Sequence, residues 1–477
     1  MSSFFLKKKF TSATSNKGEK SSAFLKRKSN TDDGKERSKK SSKRLDEEIS
    51  SDSENEGHAN RRQGENETIE MDETPQEKKL RLAKVYLDQL REEEVKKAEE
   101  DSFDADLIAG RLQDDVLEQK GKLQRLIAKE LIAPEPEEIR LLRGHKLSVT
   151  CLVITPDENY IFSASKDCSI IKWEVESGKK MHKIPGGHKA KEGHVGHKGH
   201  VLCMAISSDG KYLATGDMKK LILIWDAPTC KHLYNFVGHK DAVSGLAFRR
   251  GTHDLYSASH DRSVKVWNVN ENAYVETMFG HQDKITGLDC LSRERCVTAG
   301  GRDGTVRVWK IAEESQLVFN GHDGSIDCIQ LINEEYMVTG GDDGAVSVWN
   351  VNKKKPQATV KQAHGICGNS GLEQPRWLSS VAALHNSDTI ATGASGSHNS
   401  SVQLWMCGEG FRGLDPLFSV PVTGFVNSLK FSSSGNFLVA GVGQEHRLGR
   451  WWRIKEAKNG LYIIPLKRQT KESEVVQ

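Results

Sequence analysis

The chain has 477 residues, 28% of them Asp, Glu, Lys or Arg, and a formal net charge of only +3. No run of 18 apolar residues occurs, and the first residues are too basic and polar for the apolar core of a secretory signal, so no membrane partner and no export leader are expected. The nine cysteines are scattered in segments such as Val201-Leu202-Cys203-Met204 without a Cys-x-x-Cys pair, which argues against a disulfide framework or a cysteine zinc site and for a reducing compartment.

The small net charge hides segregation. Residues 1–45 carry 14 Lys/Arg against 4 Asp/Glu, and residues 46–77 carry 12 acids against 2 Arg. With little clustered apolar surface, residues 1–73 are expected to form a disordered basic and acidic tail. Two basic clusters, Lys26-Arg27-Lys28 and Lys39-Lys40 with Lys43-Arg44, read as a nuclear import signal or a phosphate-binding patch, against the plainer reading of a solvated tail. Ser51 and Ser53 precede acids and look like targets of an acid-directed kinase.

Order is expected to begin at Thr74-Pro75-Gln76-Glu77, where a Thr cap, Pro at the first helical position and Glu at the third form a capping box. Leu80, Ala83, Leu87 and Leu90 then recur at helical spacing, predicting a helix to about Glu100. A second helical stretch is predicted over about 104–132, weakened by Gly110 and Gly121. Residues 74–133 thus form a helical extension whose modest apolar face should lean on the rest of the chain or on a partner.

From residue 145 to residue 452 one pattern recurs seven times: a Gly-His or its remnant, two apolar strands, and an Asp six residues before a Trp. The clearest copies contain His145, Asp167 and Trp173; His239, Asp261 and Trp267; His281, Asp303 and Trp309; and His322, Asp343 and Trp349. Successive Trp residues lie 52, 42, 42, 40, 56 and 46 apart. Such a period predicts an all-β fold, a seven-bladed WD-repeat β-propeller over residues 134–468, with a short tail at 469–477. Within a blade the Asp should accept from the His, the His should meet a hydroxyl, and the hydroxyl should accept from the indole N–H. The expected sets are His145/Ser163/Asp167/Trp173, His239/Ser257/Asp261/Trp267 and His322/Thr339/Asp343/Trp349. A hydrolase triad is an alternative for His, Asp and Ser, but a catalytic constellation occurs once per site, and this one recurs in blade after blade.

Three copies depart from the pattern. The second has Gly199-His200 and Trp225, with Lys219 in the Asp position; the sixth has His364, Asn399 and Trp405; the seventh has Glu445 in the Asp position and Trp451-Trp452 read as the end of its third strand, with Trp451 in the core. Simple drift accounts for this, or Lys219 and Lys220 are freed for a partner. The insertion at 186–200 places His194, His197 and His200 at i, i+3, i+6, but His200 is claimed by its blade and no Cys or acid completes a metal set. That loop suits phosphate or RNA contact better, and a second insertion runs from Gly365 to Trp377. Two segments, Glu138–Arg143 and Tyr462–Leu466, compete to close the ring. Basic residues gather at expected loop tips: Arg249, Arg250, Arg302, His446, Arg447 and Arg450 join Lys219 and Lys220 as candidate RNA contacts, spread around the ring with no single-strand stacking motif.

The runs Ser257–Asn268, Thr298–Lys310 and Val442–Lys455, with the helical preface Glu73–Lys84, resemble the WD-repeat protein family of the U3 small nucleolar ribonucleoprotein, the U3 55-kDa family, over roughly residues 73–468. The resemblance implies a nucleolar protein that binds U3 small nucleolar RNA at its box B/C element beside a small kink-turn-binding protein. It implies a role with other small-subunit processome proteins in the early cleavages of pre-ribosomal RNA, as a monomer within that complex, and it places blade seven near the RNA. An alternative is a protein-binding propeller of the chromatin-reader or ubiquitin-ligase-adaptor type. The basic tail and loops weigh against it, and 74–132 lacks the look of an F-box. No phosphate-cradling Gly loop or isolated nucleophile–base pair appears, so neither catalysis nor a cofactor is expected.

Overall fold

A computed structural model of the chain describes residues 79–87, 89, 105–187, 195–367, 374–394 and 401–469. The two basic clusters, Ser51, Ser53, the Thr74-Pro75 helix start, His194 and Asn399 lie outside the described residues. The chain divides into two units between Arg81 and Leu82. In the first, residues 79–81 are helical. The second holds every described strand.

The strands form seven antiparallel four-stranded sheets. Blade three is representative, with Val243–Phe248 innermost, then Asp254–Ser259, Ser263–Asn268 and the outer Ala273–Phe279. The inner strands are buried almost throughout because neighbouring blades cover both faces, so they read as continuous apolar runs. The outer strand faces solvent on one side, and Tyr274, Val275 and Phe279 are exposed. The cores lie between blades. Cys203, Ile222 and Phe236 of the second blade meet Leu246, Phe248 and Trp267 of the third, and Phe236 stacks on Trp267 with ring centroids 4.9 Å apart.

Both segments that compete for closure are used. Blade seven takes Phe425–Phe431, Phe437–Gly443 and Gly460–Pro465 from the C-terminal part, and Arg140–Leu142 from the N-terminal part is its outer strand. Leu142 pairs with Leu461, and both pack with Val149, Ile161 and Trp173 of blade one. The third strand is therefore Gly460–Pro465, and the reading that Trp451-Trp452 ends it is corrected.

Two helical segments precede the ring. The first, α1, covers residues 79–87. The second, α2, runs Ala105–Lys120 and not to 132. Gly121 stops it: its φ is +71°, and a Cβ there would lie 2.7 Å from Cβ of Glu334. The chain then becomes a strap. The amide of Arg125 donates to the Asn386 carbonyl, and the Asp388 carboxylate accepts from the amides of Ile127 and Ala128 at 2.9 and 3.0 Å. Leu131–Ile132 pairs with Lys467–Arg468. Local helix propensity loses here to backbone pairing with blade six and the C-terminal strand.

Antiparallel topology sorts the loops onto two faces. Turns between first and second strands lie on one face, and turns between second and third strands lie with the inter-blade links on the other. The His–Asp pairs occupy the second of these, the tetrad face.

Candidate nucleic-acid interface

The polar chain of blade three has full geometry. Trp267 Nε1 donates to Ser257 Oγ at 2.8 Å, Ser257 meets His239 Nε2 at 2.7 Å, and His239 Nδ1 meets the Asp261 carboxylate at 3.1 Å. Blades four and five repeat it through His281–Thr298–Asp303–Trp309 and His322–Thr339–Asp343–Trp349. In blade one His145 Nε2 meets Ser163, which accepts from Trp173, while Ser169 bridges the ring to Asp167. Burial works against the charge on Asp261, yet the bonds from His239 and Ser263 hold its carboxyl well below the usual range. These groups are consumed in holding turns.

Blade two departs from expectation. Its histidine is His197, not His200: Nε2 meets Thr215 Oγ1 at 2.6 Å and Nδ1 meets Asp217 at 3.1 Å, and Trp225 Nε1 donates to Thr215. Lys219 does stand six residues before the Trp, but the carboxylate comes from Asp217, two positions earlier, and it also caps the amides of Lys219 and Leu221. His200 instead meets the Lys166 carbonyl. In blade six His364 and Trp405 share Thr392, and burial, then Arg376, pushes His364 down to about 4.

The eight candidate RNA contacts do not gather on one surface. Arg249 and Arg250 follow a first strand and so lie on the face opposite the tetrads, where Arg249 is paired with Asp254 and Glu294. Lys219, Lys220, Arg302 and Arg450 are exposed on the tetrad face. His446 and Arg447 lie there too, but not as loop tips. His446 is buried, and burial, then Arg447, pushes it down to about 3, so it is a neutral packing group. Arg447 turns into the central channel, where Nη2 donates to the Asp327 carbonyl at 2.8 Å and its amide donates to Asn427. Burial raises the Asp327 carboxyl to about 6 although Arg447 opposes the rise.

What the sequence reading missed is an aromatic cluster on this face. The segment between the second and third strands of blade seven, 444–459, doubles back on itself. Arg453 donates to Gln444 Oε1, the Ile454 amide donates to the Gln444 carbonyl, and the backbones of Glu445 and Arg453 pair in an antiparallel β-bridge. Glu445 takes Arg450 Nε at 3.1 Å and lies 3.6 Å from Lys166 Nζ, which donates to the Gly449 carbonyl. The Trp451 ring lies over Gly449, where a Cβ would sit 1.6 Å from it, so a side chain at 449 would displace the ring. Trp451 is 61% exposed, Trp452 44% and Trp377 36%. Trp377 and Trp451 have centroids 6.1 Å apart, Trp451 leans on His446 at 5.5 Å, and Trp452 meets Phe425 edge-on at 5.7 Å. Trp451 is thus surface and not core. A signal existed in the sequence: the doublet is flanked by Arg450 and Arg453 without strand alternation, and it follows a repeat that lacks its Gly-His. An exposed aromatic patch of this kind marks a contact site, and beside the exposed Arg450 guanidinium it suits a flat, anionic partner.

Comparison with known proteins supplies relatives. A family model described as "WD domain, G-beta repeat" matches residues 136–174, 190–226, 230–268, 272–310 and 313–350. The chain is 66% identical to the mouse "U3 small nucleolar RNA-interacting protein 2" over 445 residues, 93% of each chain. It is 27% identical to the budding-yeast "Ribosomal RNA-processing protein 9", covering 88% of this chain and 94% of that one. A solved structure described as "Structure of U3-55K" is 70% identical, covers 70% of this chain and all of its own, and superposes with a TM-score of 0.67.

Proposed function

Because this chain belongs to the family of the U3 small nucleolar RNA-interacting WD-repeat proteins, we propose that it is a non-catalytic, RNA-bound scaffold of the U3 small nucleolar ribonucleoprotein, acting in pre-ribosomal RNA processing and small-subunit biogenesis. The RNA is the box B/C region of U3, bound beside a kink-turn-binding protein and other processome proteins. The place of action is the nucleolus. The observation that supports this most is the Trp451–Trp452–Trp377 cluster with Arg450 on the tetrad face. Unpaired RNA bases stack on exposed aromatic rings, and guanidinium groups take the phosphates between them. Lys219, Lys220 and Arg302 lie on the same face and add charge along a backbone path, whereas Arg249 and Arg250 do not belong to it.

The test is binding of a box B/C RNA to the full chain with the kink-turn protein at two salt concentrations. Stacking contributes about 1–3 kcal/mol per base, so Trp451→Ala should weaken binding roughly 5- to 150-fold with the melting temperature preserved. Arg450→Ala should weaken it modestly and lower the salt slope by about one. Parent-like binding by the Trp451→Ala, Trp452→Ala double variant would place the RNA elsewhere. Loss of a processome protein without loss of RNA would make the cluster a protein-docking site.

A further inference from the structure

On the face opposite the tetrads the central channel opens into a cavity of about 500 Å³. First-to-second strand turns and the N-terminal strap build it together, so its lining comes from all seven blades. Its volume falls in the range of small-ligand sites, but the lining is polar where such sites are usually apolar. Three cations share it: Arg125 from the strap, Arg250 from blade three and Lys430 from blade seven. Among the described residues none of the three has a carboxylate within ion-pair distance, and Lys430 Nζ donates only to the neutral Gln330 at 2.9 Å.

Two arginines nearby differ from them. Arg249, next to Arg250 in sequence, is paired with Asp254 and Glu294, and Arg295 is paired with Glu334. Those two arginines are neutralised, and the three cations at the mouth are not. Two acids lie nearby. Glu118 stands at the rim, bonded to Asn386 and 3.9 Å from His385. Asp289 is buried beneath the mouth, where it accepts from Gln330 and the Leu331 amide, and burial raises its carboxyl even with Lys430 and Arg250 opposing. His385 stays neutral: burial, then the field of Arg250, pushes it down to about 4, and Arg125 adds to the effect. Three cations without an ion pair around one concave opening form a recognition surface for clustered negative charge. Guanidinium groups bind phosphate oxygens with forked geometry.

We propose that this channel mouth binds a compact polyphosphate, a small molecule carrying several phosphate groups, and that it does so independently of the RNA-binding cluster on the tetrad face. A concave opening framed by turns from all seven blades favours a compact ligand over a continuous nucleic-acid strand, which needs a groove that tracks its backbone.

The experiment is calorimetric titration of the full chain with inositol hexakisphosphate and, separately, with pyrophosphate, at near-physiological salt. One saturable site is expected, tighter for the ligand with more phosphates. Arg250→Glu should weaken it at least tenfold, and Arg125→Ala and Lys430→Gln should each weaken it several-fold. Lys231→Glu, an equal change of charge at an exposed position away from the cavity, should leave it unchanged. Circular dichroism melts establish that each variant is folded. Absence of saturable binding, or equal weakening by Lys231→Glu, would overturn the site. Displacement of bound hexakisphosphate by box B/C RNA would assign the mouth to nucleic acid and overturn the small-ligand reading. Failure of the Trp451 variants to affect RNA would leave this site standing.

Discussion

His197→Ala and His200→Ala separate two readings of blade two. In the structure His197 sits between Thr215 at 2.6 Å and Asp217 at 3.1 Å, and the Asp217 side chain is 1% exposed. Truncation removes both bonds and leaves a carboxylate in the interior with only the amides of Lys219 and Leu221 to hold it. A buried partner left unsatisfied costs about 1–3 kcal/mol, and the vacated ring volume adds to that. A total near 3 kcal/mol is expected. With an unfolding entropy of about 2.1 cal/mol/K per residue over a propeller of roughly 330 residues, that is a fall of about 4 °C in melting temperature. His200 is half-buried and makes one bond to the Lys166 carbonyl, so its truncation should cost about 1 kcal/mol or less. The assay is thermal denaturation of the two purified variants followed by circular dichroism and calorimetry. If His200→Ala melts at or below His197→Ala, the assignment of His197 to the blade is wrong.

Acidification and loss of the basic clusters should each have a measurable effect. Stability should fall between about pH 6 and pH 4, since His446, His364 and His385 are held by burial at about 3, 4 and 4, and the unfolded chain, with histidines near 6.5, takes up those protons first. Asp327, raised to about 6, works in the opposite sense because the folded state protonates it first. A net uptake near two protons gives roughly 3 kcal/mol per pH unit at the steepest point, and urea midpoints that stay flat or rise below pH 6 would contradict it. Neutralising Lys26, Arg27, Lys28, Lys39, Lys40, Lys43 and Arg44 together should leave a tagged protein in the cytoplasm, and unchanged nucleolar staining would remove the import assignment.

The repeat makes much of the fold legible. In blades one to five each His–hydroxyl–Trp set sits within about 30 residues of chain, so its spacing survives as a visible pattern, and His239, Ser257, Asp261 and Trp267 can be named from the sequence alone. Where a neighbouring position can serve the same role, the pattern misleads. Gly196-His197 and Gly199-His200 look alike, and the choice falls to whichever imidazole reaches Thr215 once the loop is folded. Trp451 misleads for a related reason. Its distance from Trp405 suits a blade, but the 444–459 segment folds back between strands and leaves the ring on the surface over Gly449. Helix α2 ends at Gly121 because a positive φ and the nearness of Glu334 stop it, and only the first of these has a sequence signal.

The sequence by itself determined that seven similar units stack as a propeller, because strand pairing and the buried polar chains depend on residues close together along the chain. It also determined that the repeated His and Asp are parts of each blade's own polar chain, because they recur at the same spacing in copy after copy. The closing of the ring was a tertiary decision: Arg140–Leu142 finds Gly460–Pro465 across more than 300 residues of sequence, a pairing set by where the seventh blade arrives. The sorting of charge was also tertiary. Arg250 and Arg450 are both exposed arginines in sequence, but antiparallel topology sends a residue after a first strand to one face and a residue after a second strand to the other. One therefore borders the channel mouth while the other stands beside the tryptophans.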